Sequence, residues 1–165
     1  MASFTLTTGE KNDDYETPEE AFELLLPYID TSNVIYEPFY CEGKAKEFLN
    51  NIGYKNVIHE NEDFYVNWEH YKFDVIITNP PYSCKVQVFK ELYKIGKPFA
   101  LLVPVSTISK LFLKKIFGKD IDKIQLIIPN KRIHFIKNGE QTSRNWFDTV
   151  FLCYKLNLDK DITFC

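Results

Sequence analysis

The chain has 165 residues, 45% of them hydrophobic and 26% charged, with a formal net charge of −3. This is the composition of an ordinary soluble globular protein, and the length suits one domain burying roughly 68–70% of its unfolded surface. No apolar run approaches the ~18 residues of a membrane span, residues 1–20 are too polar for a secretory leader, and the cysteines (Cys41, Cys84, Cys153, Cys165) lack paired zinc spacing. A cytoplasmic protein with reduced thiols, no metal and no membrane partner is expected.

Residues 1–14 are polar and are expected to form a flexible segment ahead of a single domain at 15–165. Thr17-Pro18-Glu19-Glu20 reads as a helix start, with Thr17 capping, Pro18 in the first turn and acids at the positive end. That helix would run through Phe22, Leu25 and Leu26, and Pro27 would kink or end it. Residues 33–36 then read as a short buried strand, 43–51 as a helix and 56–59 as a second strand. Residues 73–78, Phe-Asp-Val-Ile-Ile-Thr, are a buried strand, followed by a helix over about 85–95. Residues 99–103 form an apolar strand, 107–117 have helical spacing, and 124–128 and 149–154 are the last strands. Strands alternating with helices imply crossover units and a mainly parallel sheet. Ligands of such sheets bind beyond the carboxyl ends of the strands, where strand order reverses.

Asn79-Pro80-Pro81-Tyr82 stands at one such strand end. The Asn79 amide both accepts and donates hydrogen bonds. Pro80 has a carbonyl but no N–H, and Pro81 restricts it to an extended conformation. Tyr82 adds an aromatic face. The turn is therefore a stiff set of acceptors beside a ring, suited to holding a flat group that carries an NH2. An Asn-Pro-Pro turn can also serve as plain punctuation.

The tetrapeptide resembles the Asn/Asp-Pro-Pro-Tyr/Phe/Trp motif of amino-group methyltransferases that use S-adenosyl-L-methionine. Glu37-Pro38-Phe39-Tyr40-Cys41-Glu42-Gly43 is similar to the first motif of the adenine-specific members, an acid, Pro-Phe and a glycine-containing turn. The resemblance implies that Glu37 meets the cofactor's methionine ammonium, with Pro38, Phe39 and Gly43 shaping the turn and Gly43 opening the helix. Cys41 departs from the pattern, standing where these enzymes usually have a first glycine. A residue with a Cβ tolerates positive φ poorly there, and this favours a catalytically silent alternative.

By the same resemblance Glu60 would take the cofactor's ribose hydroxyls, Asp63 its adenine amine and Phe64 the adenine face, although the gap from Glu60 to Asp63 is short. Tyr15-Glu16-Thr17-Pro18 resembles the Tyr-x-Thr-Pro segment whose threonine and helix start hold the cofactor's carboxylate. These motifs fall in family order over roughly residues 15–155. They imply a Rossmann-like, doubly wound sheet with an antiparallel strand near the C-terminus, in a small form without a target-recognition domain. Asn79, Pro80, Pro81 and Tyr82 would form the catalytic tip for N6 methylation of adenine, DNA before RNA, with Asn79 also among the cofactor-binding residues.

Charge supports a polyanionic partner. Residues 1–80 hold 16 acids and 5 bases, whereas residues 81–165 hold 7 acids and 15 bases, nets of −11 and +8. Lys110, Lys131, Arg132, Lys137, Arg144 and Trp146 are candidate nucleic-acid contacts, with phosphates on the bases and stacking on the aromatics. Phe135 and Phe147 read either as stacking rings or as core, core being preferred for Phe147. A partner subunit supplying target recognition is also expected. The same motif serves methyltransferases of RNA guanine and of protein glutamine amides, and a non-catalytic nucleic-acid-binding subunit is the reading from another class.

Overall fold

The computed structural model describes residues 15–142 and 147–165. The expected flexible segment 1–14, and Arg144 and Trp146, lie outside the described residues. A seven-stranded sheet runs in the order β2-β1-β3-β4-β8-β5-β9, built from β1 (Val34–Tyr36), β2 (Asn56–Ile58), β3 (Val75–Thr78), β4 (Phe99–Pro104), β5 (Ile124–Ile128), β8 (Thr149–Tyr154) and β9 (Ile162–Phe164). β2, β1, β3 and β4 pair in parallel, β8 is inserted antiparallel between β4 and β5, and β9 pairs in parallel with β5. Between β5 and β8 the chain makes a small hairpin, β6 (Ile136–Lys137) and β7 (Glu140–Gln141).

The two faces of the sheet follow from side-chain alternation. Ile35, Val75, Ile77, Ala100, Leu102, Phe151 and Cys153 point to one face, under Phe22 of α1 (Glu19–Glu23) and Leu49 of α2 (Ala45–Asn51). Tyr36, Ile76, Phe99, Leu101, Val103, Leu152 and Tyr154 point to the other. That second face packs against Phe64 of α3 (Phe64–Asn67), Val88, Phe89 and Leu92 of α4 (Lys85–Ile95), and Leu113 and Phe117 of α5 (Leu111–Phe117). β3 and β4 are buried at every position, as continuous apolar runs in a sheet covered on both sides should be. The fold is thus the mostly parallel, doubly wound α/β architecture, with its antiparallel strand late in the chain. No helix among the described residues is long and apolar enough to cross a membrane.

Several local expectations differ from what forms. Pro18, not Thr17, is the N-cap of α1, and it makes no side-chain cap. Thr17 is instead buried, and α1 gives way to turns at Leu24, before Pro27. The apolar spacing over 107–117 is divided: a 3-10 turn spans Val105–Thr107, Lys110 is extended, and only Leu111–Phe117 is α-helical. Gly43 precedes α2 rather than opening it.

Candidate active site

Strand order reverses at β1: β2 lies on one side of it and β3 on the other. The two residues that leave the sheet at this switch point are Glu37, after β1, and Asn79, after β3. A cleft of about 250 Å³ opens there, and Tyr15, Thr17, Glu37, Phe39, Asn79 and Pro81 line it together with Glu16 and Asn138. Six of the residues singled out by sequence therefore meet in one place.

Glu37 is buried, and its Oε1 accepts hydrogen bonds from the Phe39 N–H at 2.9 Å and the Thr78 hydroxyl at 2.5 Å. Thr78 is the last residue of β3, so this bond locks the two strand tips together. Burial pushes the Glu37 carboxyl up to about 8, against the lowering effect of those two hydrogen bonds. Its backbone carbonyl is held at 2.9 Å by the Nδ1 of buried His59. Since a carbonyl only accepts, Nδ1 carries the hydrogen. The His59 ring stacks on Tyr40 at 4.9 Å and braces the turn that follows Glu37.

That turn contains two positive φ angles, Cys41 at 47° and Gly43 at 81°. Cys41 thus adopts the left-handed conformation that a glycine would take without strain. At Gly43 a Cβ would fall 2.6 Å from the Tyr40 ring, so glycine is required twice over, by conformation and by space.

Asn79 donates from Nδ2 to the Tyr15 carbonyl at 3.3 Å, which orients the amide. Its Oδ1 is buried and has no hydrogen-bond partner among the described residues. A buried acceptor without a donor is costly, and in a cleft it marks a place for a ligand N–H. Pro80 and Pro81 are buried, and Pro81 is extended at φ −60° and ψ 122°. The Tyr82 ring meets Phe147 edge-on at 5.4 Å. Phe135 is in the core, and Phe147, for which core is the preferred reading from sequence, is half-buried, packing against that core on one side and Tyr82 on the other.

Glu16 is a functional candidate that sequence reasoning passed over. Its carboxylate is buried, accepts from the Lys44 N–H at 3.2 Å, and leaves Oε2 without a hydrogen bond among the described residues, 3.9 Å from the Lys44 ammonium. Burial raises its pKa, offset in part by the Lys44 N–H. The backbone of Glu16 bridges Ile136 of the β6–β7 hairpin through two hydrogen bonds of 2.8 and 2.9 Å. The hairpin turns at Asn138 and Gly139, with φ 54° and 79°. This Asn-Gly pair is the usual signal of such a turn, and Asn138 is the hairpin residue that reaches the cleft.

The remaining predicted residues stand outside the lining. Glu60 is exposed and 3.8 Å from the Lys46 ammonium. Asp63 caps α3 through the Tyr65 N–H, and Phe64 is buried, edge-on to the cleft residue Phe39 at 5.4 Å. Pro38 and Gly43 belong to the turn behind the lining. Lys110 and Lys131 are exposed, Arg132 is paired with Asp148 at 2.8 Å, and the Lys137 ammonium lies 4.8 Å from the centre of the Tyr15 ring. No group of three or more potential metal ligands occurs among the described residues.

The cleft carries the carboxylates of Glu16, Glu37 and Glu42 and two buried acceptors lacking donors, Glu16 Oε2 and Asn79 Oδ1. It suits a ligand with positive charge and N–H donors, and S-adenosyl-L-methionine, with its sulfonium and ammonium groups, fits that description. The family model for Eco57I restriction-modification methylase matches residues 8–158. A solved structure from Listeria monocytogenes, described as a class I S-adenosylmethionine-dependent methyltransferase, aligns with TM-score 0.50 at 14% identity. The alignment covers 97% of this chain and 68% of that one, a likeness of fold. No curated protein matches the sequence. With 151 consecutive residues matched, out of 165, the chain belongs to the Eco57I restriction-modification methylase family and is an S-adenosyl-L-methionine-dependent methyltransferase.

Proposed function

We propose that this methyltransferase acts on the exocyclic N6 amino group of adenine in nucleic acid, DNA before RNA. The observation that carries this reading is the buried Oδ1 of Asn79, without a donor among the described residues, on a residue that lines the cleft with Glu37 at the switch point. The N6 lone pair of adenine is delocalised into its ring and is a poor nucleophile. With Asn79 Oδ1 and the Pro80 carbonyl each accepting one N–H, the nitrogen is drawn toward a pyramidal shape and its lone pair is freed. Pro81 keeps the Pro80 carbonyl fixed, and Tyr82 supports the base once it has left the stack. The gain is positioning and preorganised electrostatics rather than proton abstraction. Bound S-adenosyl-L-methionine supplies an electrophilic methyl group.

Around the cofactor, Glu37 takes the ammonium, while Tyr15, Thr17, Pro38, Phe39 and Gly43 form or support the wall. Glu60 serves the ribose after exchanging its solvent-exposed Lys46 partner, and Asp63 and Phe64 serve the adenine. Lys110, Lys131, Arg132, Lys137, Arg144 and Trp146 contact the nucleic acid, and target selection comes from short loops or a partner subunit. The family to which the chain belongs is named for restriction-modification, and this favours DNA.

The test is mass spectrometry of nucleosides from DNA and RNA incubated with protein and labelled cofactor. N6-methyladenine is the expected product. Methylguanine, or label in protein glutamine, would replace this reading with one of its relatives. Asn79→Ala should abolish transfer while cofactor binding persists, and undiminished transfer would remove the mechanism.

A further inference from the structure

Three large apolar side chains that the fold leaves in solvent lie within one seven-residue stretch: Val105, Ile108 and Leu111, exposed by 44%, 38% and 75%. Single exposed apolar residues are normal, but three within one short stretch point to a contact surface. The stretch leaves the carboxyl end of β4, the neighbour of the strand that carries Asn79. The Val105 N–H bonds the Asp148 carbonyl at 2.9 Å. Asp148 follows Phe147, which meets Tyr82, and its carboxylate holds Arg132. Ridge, arginine and catalytic tip therefore share one rim.

The charge of this segment decides what it meets. Between Glu91 and Asp120 there are six lysines (Lys94, Lys97, Lys110, Lys114, Lys115 and Lys119) and no acid. Lys114 and Lys115 follow Leu111 by three and four residues, so they share its exposed helix face, opposite buried Leu113 and Phe117. Protein interfaces are depleted in lysine. Apolar wedges flanked by cations are instead a feature of proteins that part stacked bases.

We propose that Val105, Ile108 and Leu111 form an apolar ridge that packs against the bases beside the target nucleotide, with Lys110, Lys114 and Lys115 on the flanking phosphates. This deepens the proposed function and rests on nucleic acid being the substrate. Removing a base from a duplex leaves neighbours that must be kept apart, and the ridge supplies side chains for that work.

The experiment compares wild type with Ile108→Ser/Leu111→Ser, Lys114→Ala/Lys115→Ala and, as a control on the edge strand β9, Ile162→Ser. Each is assayed for binding and methylation of a short labelled random-sequence duplex and its separate single strand. The apolar double variant should methylate duplex about tenfold more slowly, from lost base contact, and single strand at nearly the wild-type rate. The lysine variant should weaken binding to both and reduce the salt slope by about two. Equal duplex binding and methylation by wild type and the apolar variant would overturn the ridge. So would sedimentation showing that the substitutions dissociate an oligomer while leaving nucleic-acid binding intact, because the face would then join proteins. Wild type that binds duplex through the ridge yet yields no N6-methyladenine would overturn the adenine reading alone.

Discussion

Cofactor binding should depend on pH through Glu37. Glu37 is buried at the strand tip and burial raises its pKa to about 8, so at pH 7 only about one molecule in ten has it ionised. An ammonium needs the ionised form, and ionising it beforehand costs about 1.4 kcal/mol at pH 7, rising by a similar amount for each unit below. Affinity for S-adenosyl-L-methionine should therefore increase nearly tenfold from pH 6 to pH 7, with close to one proton released per molecule bound. The ligand's own α-ammonium titrates near 7.7–8.0, so the comparison belongs below pH 7.5. Isothermal titration calorimetry in two buffers of different ionisation enthalpy reads both quantities. In Glu37→Gln the amide oxygen can still accept from Phe39 and Thr78, but affinity should be lower and nearly independent of pH. Flat affinity in the wild type, or binding without proton release, would refute the assignment of Glu37 to the ammonium.

The cofactor-free protein should lose stability from pH 7 to pH 8. There the folded state keeps a proton on Glu37 that the unfolded chain has already released, worth up to about 1.4 kcal/mol per unit. His59, whose pKa burial lowers, works weakly in the opposite sense, because only a minor part of the unfolded imidazole is charged above pH 7; thermal melts at the two pH values, with and without cofactor, check the sign. Cys41→Gly should stabilise the protein by about 0.5–1 kcal/mol by relieving a positive φ, read as a higher Tm. Gly43→Ala should destabilise by about 1–2 kcal/mol and weaken cofactor binding, because its Cβ displaces the Tyr40 ring; equal Tm and affinity would show that the turn can relax.

The central strands and α4 were legible because their signals are local. Residues 73–78 and 99–103 are apolar runs of strand length, and α4 spans Lys85–Ile95 as its apolar spacing predicted. The meeting of Glu37 and Asn79 was legible through topology, since each follows a strand at the switch point. Glu16 was not, because what buries its carboxylate is a contact with Lys44 and a bridge to Ile136, and neither leaves a mark near residue 16. The hairpin carried an Asn-Gly signal, but strands of two residues are too short to show alternation. β9 was hidden for a similar reason, having three residues and an exposed outer edge. The roles of Phe135 and Phe147 could not be separated by pattern, since both flank apolar runs and only the packing around Tyr15 and Tyr82 distinguishes them.

The bridge between Glu16 and Ile136, reinforced by Gln141 Nε2 donating to Glu20 at 2.9 Å, fastens the start of the domain to a point some 120 residues later. One wall of the cleft is consequently assembled from two segments about 120 residues apart in sequence. Forming so distant a pairing is entropically late in folding. A single protease nick at Asn138-Gly139 would thus unlatch the Tyr15–Thr17 strap while every strand of the main sheet kept its neighbours, separating loss of the donor site from loss of the fold.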